Sequence, residues 1–223
     1  MKKLRTNLRR LFIIAILLLP RPNVTSLAIG AGLVVIGQLI HFISAGYLVK
    51  KEEMVTAGPY RFTRNPFYVG NLLYDIGICV MANNPYIALI YLPLFYLIVI
   101  PRRIRKEQAF LADKFGADYK AYCQKVPVFL PRLLPAKLDK INGRFSWSQI
   151  IEYRELWRVM RGVGLILVLY LQFGIQFSIL KHTTQWSSLF STSYHIIALS
   201  LLGLIIIIPP IVEFGIIRNK ISK

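Results

Sequence analysis

Apolar runs of membrane length set the strongest limit on what this chain can fold into. Five runs reach or approach the roughly 20 apolar residues that a helix needs to cross a bilayer. They are residues 24–49, 66–82, 86–101, 162–180 and 195–217. Because backbone amides must be paired internally in lipid, such runs fold as helices. The pattern predicts an all-α, polytopic transmembrane protein with about five or six membrane helices.

A sixth apolar run, residues 11–19, is short and follows a basic stretch. This arrangement resembles a signal peptide. However, no small-x-small cleavage pattern follows it, and Arg21-Pro22-Asn23 is typical of a tight turn into the next helix. We therefore favour a short retained helix paired with residues 24–49 over a cleaved signal.

The net charge of +18 could indicate nucleic-acid binding, so its distribution matters. If all six segments cross the membrane from a cytosolic N-terminus, all but two of the 28 Lys and Arg residues lie inside; the exceptions are Arg21 and Lys181. Positive charge concentrates on the cytosolic side of membrane proteins. The distribution predicts cytosolic N- and C-termini and a lipid bilayer, not a nucleic acid, as partner.

The chain divides near Pro135. Residues 1–136 are predicted to form a membrane core, and residues 137–223 an interfacial segment followed by a C-terminal transmembrane hairpin. We expect that hairpin to border a lipid-facing entrance or to support a homodimer. The two cysteines, Cys79 and Cys123, fall in different environments, so neither a disulfide nor a metal cluster is expected.

The first motif is a dense polar and aromatic stretch, residues 58–70, at the start of an apolar run. Asn65-Pro66 predicts a helix start, with the Asn side chain capping free amides and Pro at the first helical position. That explanation leaves the surrounding cations and Tyr60 and Tyr68 hydroxyls unexplained. A helix N-terminus with such neighbours can bind a carboxylate or a phosphate.

The second motif follows the apolar run 86–101. Residues 102–115 predict a charged helix that leaves the membrane and ends at Gly116 in a left-handed cap. Arg103 and Glu107 are four residues apart and share one face of that helix. One interpretation is that they form a solvated ion pair, which stabilises the helix only slightly. The other is that they form a binding site facing the first motif. In that site the Glu107 carboxylate would hold a cationic cofactor and the Arg103 guanidinium would hold an anionic substrate.

Isolated polar residues inside the apolar runs have structural interpretations. Asp75 either lines a substrate cavity or, as we favour, forms helix–helix hydrogen bonds. His41 is expected to be a packed, hydrogen-bonded residue. Gln172 and Gln176 are one turn apart and predict interhelical hydrogen bonds.

Taken together, the two motifs resemble the isoprenylcysteine carboxyl methyltransferase and phospholipid methyltransferase family of integral membrane enzymes. The matching residues are 54–60 (MVTAGPY), 64–70 (RNPFYVG), Arg103, Glu107, 115–122 (FGADYKAY) and 126–131 (VPVFLP). The resemblance implies an S-adenosylmethionine-dependent methyltransferase acting on a lipophilic or amphipathic acceptor at the cytosolic membrane face. That acceptor would be an isoprenylcysteine-type carboxylate or a phospholipid amine.

By the same resemblance, Arg103 and Glu107 are the catalytic candidates, and Arg103 meets the substrate. The expected cofactor contacts are Glu53, Met54, Val55, Tyr60, Asn65, Pro66, Phe67, Tyr68 and Glu107. Asn65 replaces the family's His, so no proton shuttle is expected there and an anionic acceptor is favoured. Methyl transfer from a sulfonium needs alignment and a dry cleft more than acid–base groups.

Two other functions stay open from the sequence. Membrane sterol reductases, which use NADPH, share a related Arg-His-Pro-x-Tyr-x-Gly signature and an ending like Tyr122-Cys123-Gln124-Lys125-Val126-Pro127. Asn71, where those enzymes usually carry an acid, argues against them. A non-catalytic lipid-binding or scaffold protein is the second alternative. The weak targeting signal favours a bacterial inner membrane.

Overall fold

The computed structural model describes residues 2–48, 53–152 and 155–180, and this part of the chain is helical with no strand. Its helices are α1 (Lys2–Leu18), α2 (Val24–Tyr47), α3 (Pro66–Ala82), α4 (Pro85–Pro93), α5 (Ile100–Lys125), α6 (Trp147–Glu152) and α7 (Glu155–Leu180). Three stretches are long and apolar enough to cross a membrane: Val24–Tyr47, Pro85–Lys125 and Glu155–Gly174. The shorter α3 is also apolar. The predicted all-α, polytopic fold is confirmed, while the last predicted span, residues 195–217, lies outside the described residues.

Helix α1 is longer than the predicted run 11–19, and its packing differs from the prediction. It packs mainly on α3 and α4 and not as a pair with α2. The Phe12 ring stacks on Tyr91 of α4 with centroids 3.7 Å apart. After the helix, the backbone N–H of Arg21 donates to the carbonyl of Ala82 at 2.7 Å. The apolar face of α1 is therefore part of the core of the described protein.

Helices α4 and α5 form one continuous 41-residue helical segment and are joined by a π-helical stretch at Leu94–Val99. Pro93 precedes the π-helical stretch and Pro101 follows it, and the wider register there accommodates residues that lack a backbone donor. Gly116 has φ +50° and ψ −118°, a positive-φ conformation that favours glycine but differs from the predicted left-handed helical cap. Helical structure resumes after it and continues to Lys125, so Gly116 kinks α5 and does not end it.

The tightest packing joins α2 to α3 through two pairs of glycines. A Cβ on Gly37 would lie 2.6 Å from the Gly70 carbonyl oxygen, and one on Gly30 would lie 2.5 Å from the Gly77 carbonyl oxygen. Helices in lipid associate through small residues that allow such close backbone approach. Because α3 begins at Pro66, this contact sets the position of the first motif relative to α2.

Helix α7 packs on α2 on the same side of the molecule as the motifs. The Gln38 Nε2 atom donates to the carbonyl of Arg158 at 2.9 Å. Buried His41 Nδ1 and buried Glu155 Oε2 are 2.8 Å apart, which confirms His41 as a packed, hydrogen-bonded residue. Gln172 donates to the Leu17 carbonyl of α1 at 2.6 Å, as predicted for an interhelical bond.

Asp75 is also a helix–helix group, as favoured from the sequence. Its carboxylate accepts hydrogen bonds from the hydroxyls of Tyr91 at 3.0 Å and Tyr96 at 2.7 Å. The Arg9 guanidinium of α1 lies 3.9 Å from the same oxygen. The side chain of Gln176 and the predicted hairpin partner lie outside the described atoms, so the homodimer stays a prediction.

The segment between α5 and α6 wraps around the first motif. The Arg64 and Arg132 amides donate to the carbonyls of Pro127 and Phe62, and the Ala136 amide donates to that of Arg61. Farther along, the amides of Thr56 and Ala57 both donate to the Asn142 carbonyl at 3.0 Å. Residues up to position 136 thus contact the first motif, and Asn142 contacts the two residues just before that motif; the division of the chain at position 136 stays a prediction.

Candidate cofactor and substrate site

The two motifs meet where the first turn of α3 faces the second turn of α5. The Tyr68 hydroxyl lies 3.0 Å from both carboxylate oxygens of Glu107. The Arg103 Nε atom donates to Glu107 Oε1 at 2.8 Å, and its guanidinium lies 5.8 Å from the centre of the Tyr68 ring. Although Tyr68 precedes Glu107 by 39 positions in the chain, Tyr68, Arg103 and Glu107 form one cluster.

This cluster has features of both interpretations of Arg103 and Glu107, the solvated ion pair and the binding site that faces the first motif. Arg103 and Glu107 are indeed an i,i+4 ion pair, with side chains 46% and 44% exposed, and such a pair alone stabilises little. The buried Tyr68 ring adds a hydrogen bond that orients the carboxylate toward the first motif. An oriented, half-exposed carboxylate can accept a cationic group, and a guanidinium with two further nitrogens can bind a second anion.

Tyr60 forms hydrogen bonds outside the cluster, one of them with the end of α5. Its ring is buried, and its hydroxyl lies 3.5 Å from the Ser44 carbonyl of α2. The backbone carbonyl of Tyr60 accepts a hydrogen bond from the Tyr122 hydroxyl at 2.7 Å. Tyr60 therefore fixes the short 3₁₀ turn Gly58–Arg61 between α2 and the portion of α5 that follows the Gly116 kink.

The stretch before that turn contributes its side chains to other contacts. Met54 packs with the buried Tyr119 and Tyr122, and Val55 is buried close to Gly143. Glu53 is exposed. Within the described residues none of the three forms a hydrogen bond or an ion pair with Tyr68, Arg103 or Glu107, so the structure brings only part of the expected cofactor set together.

Asn65 occupies the N-cap position of α3 but does not cap it with its side chain, contrary to the prediction. Its Nδ2 atom instead donates to the Val128 carbonyl at 2.7 Å, while its own carbonyl accepts from the Tyr68 amide. Pro66 occupies the first helical turn as predicted, and Phe67 packs edge-on against His41 with centroids 4.4 Å apart. Asn65 thus anchors the loop after α5 against the start of α3.

Several residues of this site were not assigned a role from the sequence. Tyr119 and Tyr122, three residues apart beyond Gly116, support Tyr60 and Met54. Burial raises the pKa of Tyr119 to about 12 and also raises the pKa of Tyr122, so both phenols keep their protons at neutral pH. The spacing of Tyr119 and Tyr122, which places both on one helical face, was the sequence pattern that could have indicated their role. No sequence signal indicated that Asn142 would pair with Thr56.

Comparison with known proteins gives a partial but consistent match. The model of the Isoprenylcysteine carboxyl methyltransferase (ICMT) family matches residues 31–113. A cobalt-zinc-cadmium resistance protein, CzcN, of Cupriavidus metallidurans is 35% identical over 99 residues, which are 44% of this chain and 43% of that protein.

Two further relatives carry the family's name. A probable protein-S-isoprenylcysteine O-methyltransferase of Oryza sativa subsp. indica is 31% identical over 115 residues, 46% of this chain and 60% of that protein. The protein-S-isoprenylcysteine O-methyltransferase of Schizosaccharomyces pombe is 32% identical over 99 residues, 44% of this chain and 41% of that protein. The chain thus spans about half the length of the curated relatives it matches.

No solved structure matches this chain significantly. The matched segment begins within α2, contains the whole first motif and extends past Glu107 on α5. It therefore includes the three residues that the structure joins. Residues 31–113 match the model of the isoprenylcysteine carboxyl methyltransferase family, and this match confirms, over that region, the family predicted from the two motifs.

Proposed function

We propose that this protein transfers a methyl group from S-adenosylmethionine to an amphipathic acceptor that reaches the site from the bilayer. The observation that carries the proposal is the cluster of Tyr68, Arg103 and Glu107. S-adenosylmethionine carries a sulfonium and an ammonium group, and the oriented Glu107 carboxylate suits a cation. Names of relatives that contain O-methyltransferase support the same reaction class.

An acceptor carboxylate of the isoprenylcysteine type fits this site better than a phospholipid amine. Arg103 supplies a guanidinium for an anion, and Asn65 in place of His supplies no base to deprotonate an ammonium. In the reaction, a carboxylate oxygen attacks the methyl carbon in line, the S–CH₃ bond breaks, and a neutral thioether and a methyl ester form. Since opposite charges disappear, a poorly solvated cleft favours the transition state.

We place this site on the cytosolic side of the membrane, together with both termini. The motif side carries all the basic residues except Arg21 and Lys181 when the six segments alternate. A bacterial inner membrane is the proposed location. Single-cysteine labelling of intact and permeabilised cells, at exposed positions of the loop after α5, tests this orientation: labelling without permeabilisation contradicts it.

The first experiment is a calorimetric titration of the detergent-purified protein with S-adenosylhomocysteine and, separately, with NADPH. Wild type is compared with Glu107→Gln, which removes the charge but keeps the shape, and with Lys106→Ala as the neighbouring exposed control. A hydrogen bond to a charged group contributes roughly 1.5–3 kcal/mol, so we expect affinity to fall at least about tenfold in Glu107→Gln only.

The outcomes separate the three functions considered from the sequence. Saturable binding of S-adenosylhomocysteine that weakens in Glu107→Gln supports the methyltransferase. Binding of NADPH alone supports the reductase, and binding of neither supports a non-catalytic lipid-binding protein. An S-farnesylcysteine analogue and phosphatidylethanolamine, each offered with radiolabelled S-adenosylmethionine, then distinguish a carboxylate acceptor from an amine.

A further inference from the structure

A cavity of about 420 Å³ lies beside α5, on a different face of that helix from the Tyr68–Arg103–Glu107 cluster. Its lining residues are Arg64, Arg105, Gln108, Ala109, Ala112, Tyr119, Lys120 and Cys123. At about 100° per residue, Arg105 lies about 200° around the helix axis from Arg103. The cavity therefore does not share the α5 face that presents Arg103 and Glu107 to Tyr68. Its volume falls within the usual range for small-molecule sites.

The charged residues that line this cavity are all positive. Arg64, Arg105 and Lys120 contribute three cations, and no acidic side chain is among the lining residues. None of the three forms a salt bridge within the part of the chain that the structure describes. Three uncompensated cations around one cavity create a positive potential that attracts an anion.

Two buried donors at this cavity lack acceptors among the described residues. They are the Nε atom of Arg64 and the Nε2 atom of Gln108. The other end of the Arg64 guanidinium donates to the Cys123 sulfur at 2.8 Å, which fixes the side chain in place. Since a guanidinium only donates hydrogen bonds, and an unpaired buried donor costs about 1–3 kcal/mol, an oxyanion at this position would satisfy the site.

The position of the cavity along the membrane normal narrows the choice of anion. Arg64 lies two residues before Pro66, where α3 begins, and Arg105 lies four residues after Pro101, at the end of an apolar run. Both cations are therefore at the level where a membrane helix meets the headgroup region. Basic pockets at this depth are suited to lipid phosphate groups.

We propose that this cavity is a phosphate-binding site, separate from the site of methyl transfer, that takes the phosphate of an anionic lipid headgroup or of a soluble phosphate ester. Arg64 and Gln108 would donate through their buried Nε and Nε2 atoms, and Arg105 and Lys120 would donate from the exposed rim. The proposal does not depend on the methyltransferase function, because none of these residues belongs to the Tyr68–Arg103–Glu107 cluster.

Chemical modification of Cys123 can measure whether a ligand occupies this cavity. It lines the cavity, and the chain's one other cysteine, Cys79, is buried in α3. In a Cys79→Ala background, the rate of modification by a charged maleimide reports access to Cys123 alone. A ligand that blocks the cavity at ten times its dissociation constant should lower that rate about elevenfold, by the factor 1 + [L]/Kd.

The probes are inorganic phosphate, phosphatidylglycerol in mixed micelles of a phosphate-free detergent, and S-adenosylhomocysteine, all at matched ionic strength. The Arg105→Gln/Lys120→Gln double variant is compared with Lys106→Gln, whose position does not line the cavity. Each rate is expressed relative to the same variant without ligand, because the substitutions also alter the intrinsic reactivity of the thiol.

We expect protection by phosphatidylglycerol or phosphate in the parent and in Lys106→Gln, and its loss in the double variant. Protection by the lipid but not by inorganic phosphate assigns a headgroup; protection by both assigns phosphate in general. Protection by S-adenosylhomocysteine alone would overturn the proposal and make the cavity part of the cofactor site. Equal rates with and without every probe would overturn it as well.

Discussion

Replacing Gly37 with Ala tests whether the α2–α3 glycine contact determines the stability of the membrane core. The added Cβ would lie 2.6 Å from the Gly70 carbonyl oxygen and 2.7 Å from the Tyr74 amide nitrogen, both backbone atoms that cannot rotate away. Ordinary contact begins near 3.4 Å. The helices must therefore separate locally by about 0.8 Å, a gap at which neighbouring atoms lose a quarter to a half of their attraction.

The expected cost follows from this displacement. Overpacking of a tight core typically destabilises by about 1–3 kcal/mol. The higher helix propensity of Ala offsets at most about 1 kcal/mol of that. Gly32 is the matched control on the same helix, because a Cβ there meets nothing within 4 Å. We expect Gly32→Ala to be neutral or slightly stabilising, and Gly37→Ala to lower the free energy of unfolding by about 1–2 kcal/mol or more.

The buried Cys79 thiol of α3 reports this unfolding directly, since it becomes reactive when α3 leaves α2. In a Cys123→Ala background, its labelling is followed across an SDS titration in mixed micelles. Equal midpoints for Gly37→Ala and Gly32→Ala would refute the reasoning, because they would show that the close glycine contact does not limit helix separation. A lower midpoint confined to Gly37→Ala would support it.

Three further predictions concern single side chains. Glu155→Gln weakens a buried hydrogen bond to His41, so the free energy of unfolding should fall by about 1.5–3 kcal/mol; an unchanged SDS midpoint would contradict this. Gln172→Leu removes the hydrogen bond to the Leu17 carbonyl but also removes an unpartnered buried Oε1 atom, and the two effects oppose each other. The free energy of unfolding in the same titration should therefore change by at most about 1 kcal/mol. A larger loss would show that the two effects do not offset each other. Because the folded-state pKa of Tyr119, about 12, exceeds its unfolded value of 10.0, its contribution is complete below pH 10 and is lost as the pH rises toward 12. Tyr119→Phe should therefore flatten the decline of unfolding free energy in that pH range, and an identical decline would argue against it.

The elements that the sequence predicted well are those with a local physical cause. The start of α3 follows from Pro66 at its first turn. The start of α2 follows from Asn23, whose side chain accepts a hydrogen bond from the Ser26 amide in a capping box. The positive φ of Gly116 is allowed by the absence of a Cβ. The continuation of α5 past Gly116 was not predictable, because it depends on Tyr119 and Tyr122 packing against the first motif.

The candidate site shows the same division. The spacing of Arg103 and Glu107 on one helical face was a local property, and the resemblance of both motifs to one enzyme family was readable from the residue types. Other side chains that were expected to contact the cofactor have structural partners instead. Asn65 bonds to Val128 and not to its own helix, and Met54 packs beside Tyr119, away from the hydrogen bonds of Glu107.

By itself, the sequence determined that the chain is a helical membrane protein, and it identified the segment that resembles the methyltransferase family. Hydropathy, the need to pair backbone amides in lipid and the residue types of a motif are all properties of residues that are neighbours in the chain. The tertiary structure alone decided that Tyr68 reaches Glu107, that Asp75 joins Tyr91 and Tyr96, and that Arg64 shares a cavity with Arg105 and Lys120. Each of these contacts joins residues far apart in the chain. They depend on how α3 packs against α4 and α5 and on how α5 bends at Gly116, and that packing is not encoded in a local pattern.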